Sequence, residues 1–203
     1  MSVTAVFFDA GETLVDESNA WAELAEISDV PPHAMYAALG VTIERREHHS
    51  RVWELLGVDP PSVPLGLERG ELYPDVEESL RQLHEAGYVL GIAGNQNIGF
   101  EEWMRAHALP VDLIVSSATL GAEKPSSEFF ERLIELAERP AGEIAYVGDR
   151  VDNDVVPAAE AGMVAVYLRR GPWGLLQADW PEAARAHARI DSLADLAAVL
   201  EHA

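Results

Sequence analysis

Four apolar runs in this chain end abruptly in residues able to do chemistry. Asp9 follows Ala5–Phe8, Gly94-Asn95 follows Val89–Ala93, Ser116-Ser117 follows Asp112–Val115, and Gly148-Asp149 follows Ile144–Val147. In an open α/β sheet, ligands bind beyond the carboxyl ends of the strands, where such residues would gather. Singly, each has a structural explanation, because Asp after a strand and Gly-Asp dipeptides are common in turns. Lys124-Pro125 alone reads as surface. Cysteine is absent, which removes thiolate catalysis, Cys-ligated zinc and any disulfide framework. The pair His48-His49 invites a metal reading, but adjacent histidines on a helix diverge and no partner stands four residues on, so a solvated helix face is expected.

The elements that must position these residues alternate. Strands are expected at Thr4–Phe8, Tyr88–Ala93, Val111–Val115, Ile144–Val147 and Val164–Leu168. Helices are expected where Val76, Leu80 and Leu83 form a stripe ending at Gly87, over Phe100–Ala108, around Phe129, Leu133, Ile134 and Leu136, over Val155–Ala161, and over Ala194–Leu200. This alternation predicts an α/β fold, a Rossmann-like three-layer core with a parallel sheet and right-handed crossovers. Residues 15–70 break the pattern. Trp21, Leu24 and Ile27 lie at helical spacing, Pro31-Pro32 restarts the chain, Ile43–Leu56 reads as a further helix stopped by Gly57, and 58–66 is a proline-rich connector. Two units are therefore expected: 1–14 with 71–203 as the core domain, and 15–70 as a small helical insert. Trp21, spaced with Leu24, is expected in the core of that insert, with a substrate-specificity contact as the alternative.

Composition bounds the partners. The 203 residues carry 14 Lys plus Arg against 35 Asp plus Glu, a net charge of −21, which repels phosphate backbones and argues against nucleic-acid binding. No apolar run approaches a membrane span and the N-terminus lacks a basic flank, so the expectation is a cytoplasmic protein with no membrane partner, a monomer or homodimer.

Taken as a set, FFDAGETL, GIAGNQ, GAEKPSSEFF and YVGDRVDNDVVPAAEAGM, with HARIDSLADL in the tail, resemble the haloacid dehalogenase-like hydrolases in order and spacing, closest to the branch with a helical (C1) cap inserted after the first motif. The resemblance implies that Asp9 is the nucleophile of an aspartyl-phosphate route. It implies a Mg²⁺ site made by Asp9, the carbonyl of Gly11 and Asp149, with Asp154 behind. It implies that Lys124 neutralises charge at the reacting centre, that Gly94 and Asn95 stand at the phosphate, and that Thr13 closes the first turn. The implied activity is a phosphatase acting on a small phosphorylated metabolite, with residues 15–70 as a cap.

Two departures qualify it. The family's phosphatases carry a second Asp two residues after the nucleophile, as general acid and base; here that position is Gly11. The hydroxyl residue usual before Asn95 is Gly94. Glu12 adjoins the first gap, but neighbours in an extended turn point apart, so it is not expected to fill it. A weakened acid/base step follows, worth ~10²–10⁴ in rate. The alternatives are a catalytically impaired binding protein of the same fold and, as a lesser one, a 2-haloacid dehalogenase, whose leaving halide needs no proton. Arg169-Arg170 are expected either to meet a substrate anion or to cap the last strand.

Overall fold

The computed structural model describes residues 2–62 and 70–201. The chain opens with β1 (Ala5–Phe8), whose four residues are all buried. Its side chains alternate between two apolar clusters, Val6 and Phe8 entering one and Ala5 and Phe7 the other, as a strand with helices on both faces must. Burying Phe7 and Phe8 completely contributes about 2–3 kcal/mol each. A tight turn leads to β2 (Val15–Asp16), and then come three helices: α1 (Ser18–Ile27), α2 (Pro32–Glu44) and α3 (Val52–Leu56). The chain returns at β3 (Glu71–Leu72), antiparallel to β2.

Beyond β3 the alternation is regular: α4 (Val76–Glu85), β4 (Val89–Gly94), α5 (Ile98–Ala106), β5 (Leu113–Ser116), α6 (Ser117–Leu120), α7 (Ser127–Ala137) and β6 (Ile144–Gly148). Then come α8 (Val156–Glu160), β7 (Val164–Leu168), α9 (Gly171–Leu176), β8 (Ala188–Ile190) and α10 (Leu196–Leu200). The sheet order is β5-β4-β1-β6-β7-β8, every pairing parallel. β1 is thus central, flanked by β4 and β6, and the three strand ends that carry Asp9, Asn95 and Asp149 lie side by side. Local chemistry supports the boundaries: Asn97 and Ser126 accept the backbone N–H of Phe100 and Phe129 at the starts of α5 and α7.

Several expectations need correction. The helix expected over Ile43–Leu56 is two elements: α2 ends at Glu44, Arg46 takes a left-handed φ of 57°, and a short 3-10 turn at His49–Arg51 precedes α3. The break frees His48 and His49 from any helix face. The helix expected over Val155–Ala161 starts with a wide turn of π type over Val151–Val155, which re-aims Asp154. Ile27 and Leu136, counted as apolar-stripe residues, are exposed. β8 and α9 had no periodic signal, being too short. The expected connector 58–66 falls outside the described residues from residue 63 on.

The helices α1–α3 hold their own apolar cluster, built on Trp21, Leu24, Met35, Leu39 and Ile43, and it is completed by Trp173 of α9. Among the described residues, no helix is long and apolar enough to cross a membrane.

Candidate active site

Asp9 is the first residue past β1, held by its N–H to the Val147 carbonyl (2.9 Å). Its carboxylate meets Lys124, whose Nζ lies 2.7 Å from Asp9 Oδ1 and 2.6 Å from Asp154 Oδ1. Lys124 comes from the loop after α6, and Asn95 sets it in place: Asn95 Nδ2 donates to the Lys124 carbonyl (2.8 Å) and the Lys124 N–H donates to Asn95 Oδ1 (2.7 Å). Asn95 is thus a clamp on the lysine's backbone as well as a wall of the cleft. Burial works against the charge of Lys124, but Asp154 and Asp9 beside it more than offset this and hold its pKa well above the usual lysine range.

Asp149 follows β6 and is buried. Its Oδ1 accepts a long hydrogen bond from Thr13 Oγ1 (3.4 Å), while its Oδ2 is buried without any partner. Asp154 is more committed: Oδ1 to Lys124, and Oδ2 to the Arg150 N–H (2.9 Å). Gly148 makes that approach possible, because a Cβ there would lie 2.3 Å from Asp154 Oδ2. Oxygens of Asp9, Asp149 and Asp154 all come within 4.8 Å of one another. Burial, then each other's charge and that of Asp9, pushes Asp149 well above the ordinary carboxylate range; burial also raises Asp154, opposed by Lys124. An unpartnered buried carboxylate oxygen among like charges is what a divalent, oxygen-seeking cation would satisfy, so these residues fit Mg²⁺.

Gly94 has a structural reason. A Cβ at this position would stand 2.7 Å from Asp9 Oδ1, so the bare backbone leaves room for the carboxylate orientation that reaches Lys124.

The cleft above these residues has a volume of about 640 Å³. Besides Asp9, Gly11, Asn95, Lys124 and Asp149, its walls include Trp21, His48, His49, Arg150 and Trp173. Trp21 is both core and wall: it is 1% exposed, yet its Nε1 is a buried donor without a hydrogen-bond partner. His48 is exposed, as the solvated reading expects, whereas His49 is half-buried, and neither lies on an α-helix. His48 caps the 3-10 turn, His49 packs edge-on to Trp21, and burial lowers the His49 pKa to about 4. Arg150 pairs with Asp152 (2.8 Å) and lies over the Trp173 ring. Arg169 and Arg170 do not line the cleft. Arg169 pairs with Asp191, and Arg170 joins the Thr13 carbonyl (3.0 Å) to Asp75, bracing the first turn. Ser116 and Ser117 also stay out, Ser116 being engaged with Glu101.

Two acids on this wall escaped sequence reasoning or were discounted by it. Glu12 is buried at a left-handed φ of 54°, accepts a hydrogen bond from the Tyr73 hydroxyl (2.6 Å), and burial raises its pKa to about 7. Glu17, just before α1, is raised to about 8 by burial, then by the charges of Glu12 and Asp9. In a chain with 35 acids, neither carries a local signature, because burial is a property of the fold.

These shifts set a pH dependence. Carboxyls with raised native pKa bind protons that the unfolded chain has released, so stability falls as pH rises through that window. The lowered His49 works oppositely between about 4 and 6.5. Above 6.5, Glu17 and Glu12 carry the effect, and Asp149 acts in the same direction. Metal-free protein should lose on the order of 3 kcal/mol between pH 6.5 and 8, about 6–12 °C in Tm. Thermal melts in a chelator across this range check it; a flat or rising Tm contradicts it.

The comparisons with known proteins agree on the family. A family model described as haloacid dehalogenase-like hydrolase matches residues 3–162. A glyceraldehyde 3-phosphate phosphatase of Methanopyrus kandleri is 31% identical over 202 residues, covering 84% of this chain and 86% of that protein. A phosphoglycolate phosphatase of Vibrio parahaemolyticus is 31% identical over 110 residues, 52% of this chain and 48% of its own. Among solved structures, a HAD phosphatase from Thermococcus onnurineus superposes with a TM-score of 0.64 at 24% identity, covering 98% of both chains.

Proposed function

The chain belongs to the haloacid dehalogenase-like hydrolases, and from that premise we propose that it is a Mg²⁺-dependent phosphatase of small phosphorylated metabolites, working through an aspartyl-phosphate on Asp9. The observation that carries this reading is the pairing of Asp9 with Lys124 beside the unpartnered Asp149 Oδ2. That arrangement offers a carboxylate nucleophile, a fixed cation and a place for a second one. Relatives named as phosphatases of glyceraldehyde 3-phosphate and phosphoglycolate support a substrate of two or three carbons.

Asp9, Asp149 and the Gly11 carbonyl would hold the metal, with Asp154 oriented behind by Lys124 and the Arg150 N–H. When bound, Mg²⁺ would neutralise phosphoryl charge so that an anionic nucleophile can approach. Asp9 attacks phosphorus and the leaving oxygen departs; Lys124 stabilises the charge spread over the phosphoryl oxygens. Asn95 holds Lys124 at its post. The position of the missing second Asp is Gly11, so proton transfer from there is absent and good leaving groups are favoured. Residues 15–70 act as the cap, presenting Trp21, His48 and His49 to the cleft and excluding water on closure. The protein remains cytoplasmic in this reading. Halide displacement would give no use to three clustered carboxylates, which is why the phosphatase reading is preferred to the dehalogenase one.

The test is single-turnover labelling with acetyl phosphate and Mg²⁺. A phosphoryl adduct mapped to Asp9 is expected; no adduct, with substrate bound, would favour the impaired binding protein. A second measurement checks the metal. Millimolar Mg²⁺ should stabilise wild type by about 2–3 kcal/mol if it exceeds the Kd a hundredfold. Asp149→Ala should melt independently of Mg²⁺. A wild-type melt insensitive to Mg²⁺ contradicts the site.

A further inference from the structure

The turn after β1 leaves a gap. Gly11 offers no side chain where a proton donor is needed, yet it lies on the cleft wall together with Glu17. A backbone bridge between Gly11 and Val15 holds that turn beside β2, and β2 ends one residue before Glu17. Glu17 is only 8% exposed, and among the described residues it forms no ion pair. Its side chain makes no capping hydrogen bond to α1. The Trp21 indole N–H is the neighbour that favours the charge of Glu17. A buried carboxyl outside any described ion pair, on the wall of a reaction cleft, calls for a role.

Glu12 is the rival and its geometry argues against it. Its Oε2 accepts the Tyr73 hydroxyl, and a Cβ on Gly171 would lie 2.5 Å from that same atom, so the carboxyl is packed away against α9.

We propose that Glu17 is the general acid and base of this enzyme, reaching across from the start of α1 to the space Gly11 leaves. The proposal rests on the phosphatase reading above. In the first step the Asp9 oxygen bonds to phosphorus, the bond from phosphorus to the leaving oxygen breaks, and that oxygen takes the proton of Glu17. In the second, a water oxygen bonds to phosphorus, its proton returns to Glu17, and the Asp9–phosphorus bond breaks to release inorganic phosphate. Burial on the cleft wall favours the protonated form of Glu17, the form the first step needs. The acid comes from the insert side of the cleft, not from the strand-end turn. Protonation then depends on the placement of α1.

The experiment compares wild type, Glu17→Gln and Glu17→Asp on glycerol phosphate, a poor alkyl leaving group, and p-nitrophenyl phosphate, a good aryl one. Glu17→Gln should lower kcat/KM on glycerol phosphate by ~10²–10⁴ and on the aryl ester by less than ~10-fold. Its phosphoenzyme, loaded from acetyl phosphate, should accumulate because water lacks a base. Glu17→Asp, which keeps the carboxyl but shortens its reach, should fall between. The proposal is overturned if Glu17→Gln keeps the wild-type alkyl-to-aryl ratio and its phosphoenzyme turns over at the wild-type rate. It is also overturned if Glu12→Gln shows the larger leaving-group effect. A wild type that forms no phosphoenzyme overturns the phosphatase reading itself, a failure seen without any variant.

Discussion

Asp9→Asn should abolish turnover, lowering kcat by at least ~10⁴, since removing the nucleophile of a covalent route leaves only binding and electrostatics. The amide is isosteric with the carboxylate, so the end of β1 and its N–H to the Val147 carbonyl are undisturbed. Lys124 keeps Asp154 as a partner at 2.6 Å, and the fold should survive. The charge of Asp9 is one cause of the raised pKa of Glu17, Asp149 and Asp154. Its loss should therefore ease the metal-free protein at pH 8 and flatten the pH dependence of its melting. A folded, inactive, alkali-tolerant variant that takes no label from acetyl phosphate is the expected result. More than ~1% of wild-type turnover would exclude Asp9 as nucleophile, because a bystander carboxylate costs far less.

The core was legible because its strands are short, apolar and each followed by a polar break. Val89–Ala93 and Ile144–Val147 announce both the strand and its functional end, and family resemblance set those ends in order. What could not be read was geometry that depends on tertiary packing. His48 and His49 sit after a helix that ends early, and nothing in EHHS says that Arg46 turns left-handed. α9 spans only Gly171–Leu176, too short for a periodic signal, yet its Trp173 closes the insert's apolar cluster and walls the cleft. Gly94 read as a lost hydroxyl, whereas its backbone makes space for Asp9. Glu17 carries no signature in the sequence, and only its burial on the cleft wall distinguishes it.

Lys124→Met separates the two services of the lysine. Structurally, Lys124 is the shared cation of two buried carboxylates, and removing one partner of a buried ion pair costs about 3–5 kcal/mol. Methionine fills similar volume, so the loss is electrostatic and not a cavity. Asp154 would lose the charge that lowers its pKa, and the native state would hold protons to higher pH. By linkage, the variant's deficit should be largest near pH 8 and shrink as pH falls towards 5. Mg²⁺ should also restore stability, since a divalent ion beside Asp9 and Asp149 replaces the missing positive charge. Activity should not return. The transition state loses the fixed cation that Nζ supplies beside Asp9, worth ~10²–10³ in rate. Melts with and without Mg²⁺, set beside kcat on an aryl phosphate, measure both halves. Recovery of activity along with stability would make Lys124 a support for the fold and leave charge neutralisation to the metal alone.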